Sequence, residues 1–147
     1  MKKFQFSLEK MLDFKNQVLD REKIVLGQLK RRQAELEGSI KRLNDKEMQL
    51  SQDLQDEQKH GTTVLTILNY SSQIENIRRQ VKELTKELAD VRYQAECQTK
   101  VVVSASQEVS SLDKLQEKQM DEYKLEEKKE NQEMILEYVI TQMTHRA

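Results

Sequence analysis

Proline and tryptophan are missing from this 147-residue chain, which has one cysteine, three glycines and 5% aromatic residues. Without proline, no position breaks a helix by ring clash or by loss of an N–H donor. The lone Cys97 excludes an intrachain disulfide and points to a cytosolic setting. Few large apolar side chains are available, which excludes a globular core fed from several faces. Gly27, Gly38 and Gly61 are isolated from one another, so no glycine-rich loop can cradle a phosphate. A net charge of −1 gives no overall positive field for nucleic acid. No apolar run approaches the length of a transmembrane span, and Glu9 and Lys10 interrupt any signal-like segment after Met1-Lys2-Lys3.

What remains is a very polar chain, 35% charged, with a narrow apolar stripe. After Gly61 the stripe repeats every seven residues. One row runs Ile67, Ile74, Val81, Leu88, Ala95, Val102 and Val109, and the other runs Tyr70, Ile77, Leu84, Val91, Gln98, Ala105 and Leu112. These rows alternate by three and four residues, as do the a and d positions of a coiled coil. Before Gly61 a weaker seam runs Leu12, Leu19, Leu26, Gln33, Ile40, Glu47, Leu54 and Leu8, Lys15, Glu22, Leu29, Leu36, Leu43, Leu50, Glu57.

In an antiparallel pair an a residue shares a layer with a d residue of the other helix. Leu54 with Tyr70, Leu43 with Val81, Ile40 with Leu84, Leu36 with Leu88 and Leu12 with Leu112 are all symmetric about residue 62. Gly61 lies beside that centre and suits a left-handed helix exit, with Thr62 or Thr63 to cap the next helix. The expected fold is all-α, a long two-helix antiparallel coiled-coil hairpin with an overhanging C-terminal helix. It forms a single domain over 1–147, with helix 1 at about 7–59, the turn at about 60–63 and helix 2 at about 64–144. Ser72-Gln73-Ile74-Glu75 also matches a capping box, so Thr63 and Ser72 are both candidate starts for helix 2.

At the N-terminus Ser7 is placed to cap helix 1, and Phe6 to staple onto Met11. Phe4 and Phe6 have two readings, local packing of the helix entry and docking to a partner. From about Met120 helix 2 is expected to lack an intrachain partner. Its segment 121–133 is densely charged, and Met134, Ile135, Tyr138, Val139, Gln142 and Met143 then restore an apolar face. An apolar face with no counterpart reads as a binding surface, or as a terminus that self-associates or frays. In the seam, the charges of Lys15 and Glu22 are expected to reduce stability even where their heads extend to water. With Ala105 and Gln98 opposite the first helix, this predicts a firm hinge end and a looser open end. Lys30 is expected near Arg92, so the flanking charges would do little to fix the register.

Catalysis needs convergent groups. His60 and His145 are far apart in sequence and Cys97 falls on an outward helix position, so no catalytic residue, metal site or cofactor is expected. Lys30-Arg31-Arg32 and Arg78-Arg79 read as solvated faces, because acids surround them and stacking aromatics are absent.

Two sets of residues carry a family resemblance. Phe4-x-Phe6-x-Leu8-Glu9-Lys10-Met11-Leu12 resembles the opening of the FliJ family of flagellar export proteins, and Gly61 followed eight residues later by Asn69-Tyr70 resembles its hinge. The resemblance implies a non-enzymatic coiled-coil component of the flagellar type III export apparatus. Such a component is cytoplasmic, peripherally associated with the inner membrane face of the apparatus and not inserted in it. It also implies three partners: the export ATPase hexamer, for which the open end acts as a stalk; the cytoplasmic domain of the export-gate membrane protein; and export chaperones. By position, the gate-contacting flank of the hinge comprises Leu43, Leu50, Gln73 and Ile77. The ATPase-contacting open end comprises Phe4, Phe6, Met134, Ile135, Tyr138 and Val139. Where relatives carry aromatics on the hinge flank, this chain has Lys46, Leu50 and Gln73. A homodimerising scaffold coiled coil and a holdase-type chaperone are the alternative readings.

Overall fold

The structure, a computed structural model, describes residues 2–146. Two helices make up nearly all of it, α1 at Glu9–His60 and α2 at Val64–Arg146, and no strand occurs among the described residues. The chain divides into two compact units. One spans Glu22–Val102 and contains the hinge; the other joins the residues up to Arg21 with those from Val103 onward.

In the hinge unit, α1 ends because Gly61 adopts a left-handed conformation, φ 83°, which an L side chain rarely tolerates. The Gly61 N–H reaches the Gln58 carbonyl (3.4 Å), and the His60 ring Nδ1 donates to the Asp56 carbonyl (2.8 Å). Acceptors at the helix end thus find donors. Thr63 then caps α2. Its hydroxyl accepts the Thr66 N–H (3.2 Å), while its carbonyl accepts the first ladder bond, from Ile67 (3.2 Å). Of the two candidate starts, Thr63 is the one used, and α2 runs through Ser72 without a break.

Every a and d position of α2 from Ile67 to Leu112 is buried or half-buried. Leu36, Leu88 and Val91 form the buried cluster of the hinge unit, with Ile40 and Leu84 packed against it. Leu36 and Leu88, like Ile40 and Leu84, are pairs symmetric about residue 62, so the fold-back has the expected register. Fully burying a leucine contributes about 1.5–3 kcal/mol, and Leu36 is only 2% exposed.

Polar members of the seam find partners. Glu22 does not turn to water: Gln98 Nε2 donates to both its carboxylate and its backbone carbonyl (3.0 Å to the latter). The one polar exception in the α2 seam thus satisfies an acid in the α1 seam. The flanking charges are also more ordered than expected. Arg92 pairs with Glu37 (2.9 Å), Arg78 with Glu47 (2.7 Å) and Arg32 with Glu87. Arg92 therefore meets an acid rather than the Lys30 ammonium.

In the terminal unit, Leu12, Leu19 and Val109 are buried, and Lys15 reaches Glu108 (2.8 Å) instead of extending freely into solvent. α1 begins two residues later than expected, and the first helical N–H, that of Glu9, donates to the Phe6 carbonyl (3.1 Å). Phe6 is buried at 5% exposure. Burial is not confined to the hinge end. Phe6, Leu12 and Leu19 are buried, whereas Leu54, Ile67 and Tyr70 beside the hinge are only half-buried. Phe6 is what a seam-only reading omits: it precedes the first heptad, yet it adds a large apolar ring to the packing.

Candidate functional site

The four residues assigned to the hinge flank lie together. Leu43, Leu50, Gln73 and Ile77 line one depression of about 260 Å³, joined by Lys46, Asn76 and Gln80. Heptad geometry explains the grouping. Leu43, Leu50 and Ile77 are d positions, and Lys46, Gln73 and Gln80 precede a positions, so they border the same groove. Burial divides their roles. Ile77 is 5% exposed and serves the seam, whereas Lys46, Gln73, Asn76 and Gln80 are exposed at the rim. A partner here meets a polar rim with one cation over an apolar floor.

A second depression of about 260 Å³ in the same unit is lined by Asp53, Asp56, Glu57, His60 and Tyr70. Its acids lie on the last turns of α1, and among the described residues no group of three or more His, Cys, Asp or Glu is placed to hold a metal. Val64, Leu65 and Leu68, on the first turns of α2, are 59–73% exposed. Sequence reading missed them because it followed only the seam. The signal was present: no charged residue occurs from Val64 to Ile74.

Electrostatics in the hinge unit are those of exposed pairs. Arg92, then Gln33, hold the Glu37 carboxyl below its ordinary range by hydrogen bonding to its charged form. Glu87 holds the Arg32 guanidinium above its ordinary value. On the outer face of α2, a hydrogen bond with Cys97 pushes the Tyr93 phenol up. Cys97 is itself exposed.

The terminal unit carries the other group of assigned residues, and they separate. Phe4 packs its ring against Tyr123, with centroids 5.5 Å apart and planes at 52°, and the Tyr123 hydroxyl donates to the Lys2 carbonyl. Edge and tilted contacts of this kind suit aromatic quadrupoles. Phe6, expected among the partner-contacting residues, is instead enclosed within the unit. The segment before α1 therefore covers α2 as far as Tyr123, slightly beyond the expected limit at Met120. Met134, Ile135, Tyr138 and Val139 are exposed, as is every residue from 131 to 146. Leu136 and Ile140, which the apolar-face reading omitted, are exposed too.

Paired helices in heptad register define a coiled-coil hairpin protein. Among the described residues no helix is long and apolar enough to cross a membrane. The chain belongs to the FliJ family: the family model described as Flagellar FliJ protein matches residues 4–147. Membership assigns it a flagellar export-related role. No curated protein and no solved structure matches the chain.

Proposed function

We propose that this protein is the stalk of the flagellar export ATPase ring, and that it links the ring to the export gate and to export chaperones. It works from the cytoplasm, at the inner membrane face of the export apparatus. The observation that carries the reading is the uncovered α2 terminus, where large apolar side chains stand in solvent with no counterpart among the described residues. A ring or groove supplies the missing surface. Phe4, Phe6 and Tyr123 act at the base of this segment by fastening the N-terminus to α2, and Met134, Ile135, Tyr138 and Val139 make the contact. The hinge unit supplies a separate contact for the cytoplasmic domain of the gate through the depression at Leu43, Leu50, Gln73 and Ile77.

The test is capture of the purified export ATPase hexamer by full-length protein and by a chain truncated after Asp121. The truncated chain is expected to lose capture, and undiminished capture sinks the stalk reading. Substituting Gln73→Glu together with Lys46→Glu is expected to weaken binding to the gate domain without affecting ATPase capture. A scaffold that pairs with itself through the same exposed terminus would show a doubled mass by light scattering, abolished by the truncation.

A further inference from the structure

The exposed terminus differs in pattern from the seam that precedes it. From Met134 to Met143 seven large apolar residues are 45–68% exposed: Met134, Ile135, Leu136, Tyr138, Val139, Ile140 and Met143. At about 100° per residue, these positions sweep an arc of roughly 240° around α2. An a/d seam occupies a far narrower stripe. Glu126, Glu133 and Glu137 fall together in the complementary sector, within roughly 40° of one another. Thr141 and Thr144 continue that sector, and each turns its hydroxyl back onto a carbonyl of its own helix (2.9 Å). The terminus is therefore two-thirds apolar, with one acidic line.

We infer that this terminus is gripped from at least two sides by a concave, apolar protein socket with a line of Lys or Arg side chains facing Glu126, Glu133 and Glu137. The inference rests on the proposed stalk function and specifies what the partner must present. A single helix or a flat surface would leave roughly half of the 240° arc in water. A membrane surface would cover one side only, and its anionic headgroups would repel the glutamate line. A second copy packed symmetrically has one apolar face to offer and brings further acids. The charge complement of the glutamate line is basic, and charge-assisted pairs would fix the rotation of the helix within the socket.

Leu136 and Tyr138 lie on nearly opposite sides of the arc. The test measures binding of full-length variants to the purified export ATPase hexamer, with helix content checked by circular dichroism. Leu136→Ser and Tyr138→Ser are each expected to weaken binding about tenfold or more, as for buried anchors of an interface. The triple variant Glu126→Gln, Glu133→Gln, Glu137→Gln is expected to flatten the salt dependence of binding. If the truncation after Asp121 still binds, the stalk reading itself fails. If the truncation fails to bind while one of the two serine variants binds like wild type, docking is one-sided and the socket is overturned. An unchanged salt dependence in the glutamine variant overturns the basic line. Binding to phosphatidylserine vesicles, or self-association by light scattering, that Leu136→Ser abolishes would identify a lipid or a second copy as the occupant and overturn the proposal.

Discussion

The hinge unit and the terminal unit use the same two helices to different ends. Between Glu22 and Val102 the apolar residues at heptad positions are buried or half-buried, in a seam where Gln98 answers Glu22. In the terminal unit the seam is closed by aromatics from outside α1, and α2 then continues with its apolar residues in solvent. The heptad positions pack the two helices together, and at the α2 terminus the apolar residues that depart from the heptad stand in solvent. Val64, Leu65 and Leu68 repeat this on a small scale, since they lie outside the seam positions of α2.

Substitution should separate the two regimes. Leu36→Ala removes a side chain that is 2% exposed and is expected to destabilise the fold by about 3 kcal/mol, read as a lowered urea midpoint. Ile135→Ala, at 64% exposure, is expected to leave the midpoint unchanged. Equal effects would erase the distinction between the units. Next in size is Gly61→Ala. A side chain at φ 83° is strained even though the space around the glycine is open, and the expected loss is about 1–2 kcal/mol. Thr63→Ala deletes the cap on the Thr66 N–H, for an expected loss of about 1 kcal/mol. The polar pair gives a sharper comparison. Gln98→Leu strands Glu22 and is expected to destabilise by about 1 kcal/mol, whereas adding Glu22→Leu should restore stability or exceed wild type.

Much of this was legible in the residues. The heptad rows, the symmetry about residue 62 and Gly61 together specify the fold-back, because each layer must match on both helices at once. The grouping of Leu43, Leu50, Gln73 and Ile77 in one depression also follows from heptad position. What was not legible depends on side-chain reach. Arg92 finds Glu37 although the layer symmetry sets it near Lys30, a choice that position alone does not encode. Phe6 lies outside any helical period, so its burial could not be read from periodicity. The apolar arc at residues 134–143 is wider than a single helical face, because Leu136 and Ile140 lie outside the face that Met134, Ile135, Tyr138 and Val139 define.

The smallest expected effect concerns the charges that flank the hinge-unit seam. Glu37 is held below its ordinary carboxyl range chiefly by Arg92, then by Gln33, so its folded state favours the charged form. A depressed carboxyl stabilises the fold above its unfolded pKa, about 4.3, and that contribution disappears as pH falls through the lower folded value. The arginine stays charged throughout, so the loss belongs to the acid alone. The stability difference between wild type and Glu37→Gln should accordingly be constant from neutral pH down to the ordinary carboxylate range and shrink below it. Both partners are exposed, so salt should reduce the difference at neutral pH, whereas the Leu36→Ala effect should persist in salt. A Glu37 titration midpoint at or above the ordinary carboxyl value would show that the pair is not formed in solution. The apolar layers would then hold the register of the hinge unit without it.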